Sequence, residues 1–142
     1  MKISARNVFE GKISALTQGA VNAELEITTA AGDRIVAIVT EASVRSLDLA
    51  VGKVALAFVK APWVIVMAGD AGVRFSTRNQ LAGTVDQVTA GAVNSSVAIT
   101  LKSGARVHAV VTNDAVADLG LVPGAAAIAM IKASHVVVGV PA

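Results

Sequence analysis

Residues 19–28 read Gly-Ala-Val-Asn-Ala-Glu-Leu-Glu-Ile-Thr, and residues 91–100 read Gly-Ala-Val-Asn-Ser-Ser-Val-Ala-Ile-Thr. In the first stretch Val21, Ala23, Leu25 and Ile27 alternate with Asn22, Glu24, Glu26 and Thr28. A period of two marks a strand with one face turned to water. The return of the stretch 72 residues later marks a duplication. Extended outward, residues 4–70 align with residues 76–142 without a gap, and about 26 of the 67 pairs are identical. Ser4-Ala5-Arg6-Asn7 meets Ser76-Thr77-Arg78-Asn79, Val39-Thr40 meets Val111-Thr112, and Lys60-Ala61 meets Lys132-Ala133. Gly11, Gly32 and Gly52 return as Gly83, Gly104 and Gly124. The alignment divides the chain into a first domain, residues 1–69, a glycine-bearing linker, residues 70–75, and a second domain, residues 76–142.

Working outward within one repeat, residues 8–17 precede the alternating strand and read as a strand themselves, joined to it by Gln18-Gly19-Ala20. Ala31-Gly32-Asp33 supplies the next turn. Ile35 to Thr40 is β-branched and apolar at successive positions, the pattern of a strand covered on both faces. Glu41 to Leu49 changes character: Val44 and Leu47 stand three apart and Thr40 can cap, which predicts one short helix. Apolar segments at 54–60 and 63–68 complete the repeat. The second repeat gives the same string, with a helix near 113–119 ended by Pro123-Gly124. The expected fold class is therefore all-β with one short helix per domain, as tandem OB-like five-stranded barrels.

Composition narrows the functional classes. The 142 residues include no cysteine and two histidines, His108 and His135, so a thiolate metal site and a disulfide framework are excluded. Hydrophobic residues make up 54% but aromatics 3%, and the longest apolar runs are far short of the ~20 residues of a membrane helix. Lys2, Arg6, Glu10 and Lys12 interrupt the N-terminal stretch, which does not read as a signal peptide; a cytoplasmic location is the expectation. Repeats of about 68 residues sit near the lower limit for a core that is stable alone, and valine-rich strands point to oligomerisation. A net charge of +2 is not the dense basic face of a nucleic-acid binder.

The duplicated polar positions include Ser4, Arg6, Asn7, Asn22, Thr28, Arg34, Thr40 and Lys60, with their partners 72 residues on. The set holds two kinds of cation, hydroxyls and amides, and no carboxylate. An oxyanion offers only acceptors, so this is the chemistry of an anion site, though the residue types do not name the anion. Each position also has a plainer reading. A duplicated Arg or Lys suits a solvated surface, Asn22 suits a turn, and Thr40 suits a helix N-cap. Arg34 follows a turn and reads as a surface residue. Trp63 aligns with His135 and reads as packing; His108 aligns with Val36 and is a poor ligand candidate.

Ser4-Ala5-Arg6-Asn7, Gly19-Ala20-Val21-Asn22 and Lys60-Ala61, in this order and spacing and twice over, resemble the molbindin (Mop) family of molybdate-binding proteins. Two tandem domains and little else are similar to its two-domain, ModG-type members. The resemblance implies OB-like barrels assembled as a homotrimer that binds, buffers and stores molybdate, and tungstate as its isostere, in the cytoplasm without a metal cation. It implies one kind of anion site, between barrels, on Ser4, Arg6, Thr40, Ser43, Lys60 and Ala61 and, in the second repeat, on Ser76, Arg78, Thr112, Lys132, Ala133 and Ser134. A second kind, near a three-fold axis, is implied on Gly19, Ala20, Val21 and Asn22 and on Gly91, Ala92, Val93 and Asn94. One departure stands out: Ser43 aligns with Ala115, so one hydroxyl lacks a counterpart.

Rival readings have less to stand on. Single-stranded nucleic acid needs aromatic platforms on a basic groove, and the chain has three Phe, one Trp and no Tyr. An enzyme needs a constellation, yet no duplicated Asp/Glu pair, Ser/His/Asp set or glycine-rich phosphate motif is present. Neither a membrane nor a nucleic acid is an expected partner. A molybdenum–pterin cofactor is the nearer alternative to the bare anion, set against it by the shortage of aromatics.

Overall fold

A computed structural model describes residues 1–69 and 72–142. Of the 70–75 linker, Asp70 and Ala71 thus lie outside the described residues. The first repeat forms β1 (Asn7–Gln18), β2 (Asn22–Thr29), β3 (Arg34–Thr40), α1 (Glu41–Ser46), β4 (Val54–Val59) and β5 (Ile65–Ala68). The second forms β6 (Asn79–Ala90), β7 (Asn94–Leu101), β8 (Arg106–Thr112), α2 (Asn113–Leu119), β9 (Ala126–Ile131) and β10 (Val137–Gly139). The all-β class and the order of five strands with one helix per repeat are as the sequence implies.

The strands are not grouped by repeat. One five-stranded sheet runs β10-β4-β1-β2-β3 and the other β5-β9-β6-β7-β8. Val137, Val138 and Gly139 pair with Phe58, Ala57 and Leu56, while Ile65 to Ala68 pair with Met130 to Ala127. Each repeat therefore gives its fifth strand to the other repeat's sheet. Two compact units result: Met1–Asn7 with Lys60–Ile131, and Val8–Val59 with Lys132–Ala142. The compact unit and the sequence repeat are different partitions of this chain.

Each unit has its own core. Ile13, Leu25, Ile27, Ile35 and Val59 are almost fully buried in one, and Val85, Val97, Ile99, Val107, Leu121 and Ile131 in the other. Every such side chain contributes about 1.5–3 kcal/mol of transfer free energy. Buried alanines at 55, 57, 127 and 129 keep β4 and β9 thin enough for the sheets to curl. Curling also needs close strand crossings. A Cβ on Gly11 would lie 2.2 Å from the Thr28 carbonyl oxygen, and one on Gly83 2.4 Å from that of Thr100. Just beyond, a β-bulge falls between Ile13 and Ala15, and again between Val85 and Gln87. Bulges turn a strand and re-aim the extra side chain, here Ser14 and Asp86.

Three details differ from the sequence reading. The outer face of β3 is half-covered, not buried, at Val36 and Ile38. The last strand of each repeat starts at Ile65 and Val137, not at residue 63 and its counterpart, because residues 61–63 and 133–135 form single 3-10 turns closed by the Trp63 N–H to Lys60 and the His135 N–H to Lys132. Helix α2 ends at Gly120, which takes the left-handed conformation, and Pro123-Gly124 belongs to the following turn.

Candidate functional site: paired donor clusters

In the unit that contains β6 to β9, the Gly91–Asn94 turn closes with the Gly91 N–H donating to the Asn94 carbonyl at 2.8 Å. A Cβ on Gly91 would lie 2.8 Å from that same oxygen, so the turn requires glycine. Asn94 pairs with Thr112 in register, which sets the turn beside the start of α2. The junction is then stitched: Asn113 donates its backbone N–H to Val93 at 2.9 Å and its side-chain amide to Gly91 at 2.9 Å, and accepts from Ser95 at 2.5 Å. The Thr112 hydroxyl caps α2 by accepting from the Ala115 N–H at 3.1 Å. Lys60-Ala61 arrives from the first repeat, its 3-10 turn packing on β8.

The same unit receives the chain's N-terminus. Asn7 is 1% exposed; its side-chain amide donates to the His108 carbonyl at 2.8 Å and accepts from the His108 N–H at 2.7 Å. A side chain here completes both backbone bonds of one β8 residue, and it docks the Ser4-to-Arg6 segment on this unit. The corresponding Asn79 is also buried and donates to the Ile131 carbonyl at 3.2 Å.

The other unit repeats the plan with different flanks. Gly19 donates to the Asn22 carbonyl at 2.9 Å, Asn22 pairs with Thr40, and Glu41 donates its N–H to Val21 at 2.9 Å. The Thr40 hydroxyl accepts from the Ser43 N–H at 3.1 Å and lies 2.9 Å from the Ser43 hydroxyl. The turn holding Ala133 and Ser134 packs on β3 and brings Lys132. A hollow of about 310 Å³ adjoins Gly19, Asn22 and Glu24.

Ser4, Arg6, Lys60, Ala61, Ser76, Arg78, Thr112 and the Gly91–Asn94 turn thus belong to one unit; Thr40, Ser43, Lys132, Ala133, Ser134 and the Gly19–Asn22 turn belong to the other. Ala61 and Ala133 are buried, and the cationic and hydroxyl members are exposed or half-exposed. A larger hollow of about 640 Å³ along β1 and β2 includes only Thr28 of the duplicated polar positions, and its apolar walls do not suit an anion.

Sequence reasoning missed three features. Glu41 sets a carboxylate 3.2 Å from the Gly19 N–H, whereas its counterpart is the neutral Asn113. The exchange of Glu41 for Asn113 is visible in the sequence, directly after each capping Thr. Trp63 is 39% exposed, and the Lys60 Nζ lies 5.7 Å from its ring centroid, a cation–π contact. The Asn7 clamp was hidden because its target is 101 residues away.

Among the described residues no group of three or more His, Cys, Asp or Glu could hold a metal ion, and no helix is long and apolar enough to cross a membrane.

The TOBE domain pattern matches residues 3–66 and 76–138. The molybdenum transport protein ModE of Herbaspirillum seropedicae is 43% identical over 140 residues, covering 99% of this chain and 52% of that protein. The molybdenum-pterin-binding protein MopA of Rhodobacter capsulatus is 38% identical over 141 residues, covering 99% of this chain and 53% of that protein. The chain thus spans about half the length of these relatives. A crystal structure of the cytoplasmic molybdate-binding protein ModG with molybdate bound is 55% identical and superposes with a TM-score of 0.96, covering 99% of this chain and all of that one. With both repeats matched and the whole ModG chain covered, this chain belongs to the TOBE-domain family and carries two tandem domains of the molbindin (Mop) type.

Proposed function

We propose that the protein binds molybdate, with tungstate as an equivalent ligand, and that it buffers and stores the anion in the cytoplasm without catalysing a reaction. The observation that supports this reading is that each unit joins a Gly-Ala-Val-Asn turn to a Thr-capped helix start and packs on the adjoining strand, β3 or β8, a Lys-Ala turn lent by the other repeat. Molybdate is a dianion near neutral pH that only accepts hydrogen bonds. Several charge-assisted bonds of about 1.5–3 kcal/mol each supply the ~8–12 kcal/mol of micromolar to nanomolar binding after association costs. The relatives named for molybdate or molybdenum support the choice of anion.

The site residues are those implied by the resemblance, with Ser4, Arg6, Thr40, Ser43, Lys60, Ser76, Arg78, Thr112, Lys132 and Ser134 donating from side chains and Ala61 and Ala133 from backbone. The two Gly-Ala-Val-Asn turns form the second kind of site. Assembly is as a homotrimer. Its support is a matched set of exposed apolar residues: Ile3 with Phe75, Val21 with Val93, and Ile65 with Val137, all at least 39% exposed at equivalent places in the two repeats. Faces so exposed in both copies suit burial against further copies of the chain.

Calorimetric titration tests the ligand. Molybdate and tungstate are to bind alike, and sulfate, a smaller ion that leaves donors out of reach, is to compete poorly; equal competition by sulfate ends this reading. Light scattering is to give about three times 14.3 kDa. Metal analysis with parallel organic extraction separates the bare anion from a pterin complex, the ligand in MopA's name.

A further inference from the structure

On the outer face of β6, β7 and β8 lies a hollow of about 200 Å³ lined by Gln87, Thr89, Ser96, Ala98, Arg106 and His108. None of these belongs to the donor clusters above. The equivalent face of the first repeat is acidic and occupied at its middle, with its hollow displaced toward the Gly19–Asn22 turn beside Thr17 and Glu24. There Glu26 pairs with Arg34 at 3.0 Å, the bulge residue Ser14 bonds the Glu26 carboxylate at 3.0 Å, and Glu24 stands one pleat along. In the second repeat Ala98 replaces Glu26, Ser96 replaces Glu24 and His108 replaces Val36. The carboxylate has moved to the bulge: Asp86 reaches Arg106 at 2.7 Å. Removing the long Glu side chain opens the space, and removing both acids turns its lining from acceptors to donors.

Those donors are not used elsewhere. The side chains of Gln87, Thr89, Ser96 and His108 make no hydrogen bond within the chain among the described residues. Arg106 engages Asp86 through one nitrogen, and a guanidinium carries five N–H groups. Arg6, docked by the Asn7 clamp on His108, adds a second cation within electrostatic reach of the imidazole. Around His108 the charged groups are Arg106 on its own strand, Asp86 on β6, Arg6 on the N-terminal segment and Lys60 before the 3-10 turn that packs on β8; β7 and β5 bring none. Asp114 and Asp118 of α2 stand past the opposite end of β8.

We infer that this hollow is a further oxyanion site, present once per chain, that takes one small inorganic tetrahedral oxyanion on Arg106, His108, Ser96, Thr89 and Gln87. Its walls are open and its volume exceeds that of one tetrahedral oxyanion, so sulfate and phosphate fit as well as larger ions, in contrast to size-selective clusters. The site stands independently of the molybdate reading. Burial, then Arg106, then Arg6 hold the His108 pKa below the usual histidine value. A bound anion acts in the opposite direction and favours imidazolium.

The test is long-range 1H–15N correlation NMR of the full chain, whose only histidines are His108 and His135. Sodium sulfate is titrated against sodium chloride at equal ionic strength, which removes the screening contribution. The His108 ring signals are expected to shift saturably and its titration midpoint to rise, with His135 unmoved. Ser96→Glu restores the first repeat's residue at an exposed position and is expected to weaken sulfate about tenfold or more by like-charge repulsion. The neutral Ser96→Gln is expected to stay within about threefold of the parent, at most the loss of one neutral hydrogen bond. The site is overturned by a His108 response identical in chloride, by a sulfate response that survives Ser96→Glu, or by equal loss in Ser96→Glu and Ser96→Gln.

Discussion

The outer face of β2 and β3 and the outer face of β7 and β8 share one backbone and keep their charge in different places. On the first, Glu26 lies mid-face and is held by Arg34 and Ser14. On the second the mid-face is Ala98, and the carboxylate sits on the bulge at Asp86. The helix junctions differ in the same sense, with Glu41 against Asn113 beside the two Gly-Ala-Val-Asn turns. Backbone devices are therefore the common part of the two repeats: crossing glycines, bulges, Thr caps and amide-closed turns. The electrostatic surroundings are the divergent part. Under the molybdate reading, two copies of one fold thus give the anion two unlike environments.

The common part can be broken most severely at the strand crossings. Gly11→Ala and Gly83→Ala each force a methyl into a carbonyl oxygen, and a backbone atom cannot move aside cheaply. Each is expected to cost about 3 kcal/mol or more, measured by denaturant unfolding. Gly83→Ala is expected to cost at least as much, since its Cβ also meets Ile99 Cγ2 at 2.9 Å. Costs below about 1 kcal/mol at both sites would show that the crossing is not a shared constraint.

Next comes the Asn7 clamp. Asn7→Leu leaves the His108 N–H and carbonyl without their partner in a part-buried place, at about 2 kcal/mol. It also frees Ser4 and Arg6 from the unit they dock on. Amide hydrogen exchange at His108 reports the loss directly, and unchanged protection there would remove the clamp from the account.

How much of this was legible beforehand follows from the kind of interaction. Strands and helices were readable because alternation at Val21 to Thr28 and the Thr40 cap are local. The fifth-strand exchange was not. Ile65-Val66 and Val137-Val138 are short apolar segments equivalent in the repeat, and either can pair with β4 or β9 on pattern alone. Gly120 and Gly124 both take positive φ, 62° and 93°, and only the capping hydrogen bonds, from the Gly120 N–H to Ala117 and the Leu121 N–H to Val116, show which glycine ends the helix. The donor set was legible as a list, through duplication. Its surroundings were not: the role of Glu41 depends on its reach to Gly19, and Ala98 and Ser96 come beside His108 only through the pairing of β7 with β8.

The divergent part is sharpened by exchanging residues between the junctions. Under the molybdate reading, Glu41 weakens the Gly19–Asn22 turn as an anion site. Glu41→Asn is expected to strengthen that class of site about fivefold, the equivalent of one exposed like charge removed at roughly 1 kcal/mol. Ala115→Ser supplies the hydroxyl that Ser43 offers at Thr40 and is expected to strengthen its own class by a few-fold, one neutral hydrogen bond at about 0.5–1.5 kcal/mol. Both variants narrow the spread between classes in a molybdate titration. Identical, independent sites in the parent protein would leave nothing to narrow and would refute the inequality.

The smallest effect concerns how each helix ends. Asp48 and Gly120 are equivalent, and both take positive φ, 54° and 62°. Glycine adopts that conformation freely, whereas a residue with a Cβ pays roughly 1–2 kcal/mol, less for Asp. The first repeat offsets the strain with Lys53, whose Nζ donates to the Leu47 carbonyl at 3.1 Å and the Asp48 carbonyl at 2.9 Å. The second repeat has Ala125 at that place and no strain to offset. The ion pair between Lys53 and the 95% exposed Asp48 side chain, at 3.5 Å, contributes little in water. Asp48→Gly is therefore expected to stabilise by about 0.5 kcal/mol, because relief of strain slightly exceeds the entropy glycine adds to the unfolded chain. Gly120→Asp is expected to destabilise by about 1 kcal/mol, and adding Ala125→Lys to recover roughly half of it. The coupling between 120 and 125 in this double-mutant cycle is the quantity to measure. A coupling of zero would mean that Lys53 does not offset the strain at Asp48, and that the two helix ends reach the same conformation for unrelated reasons.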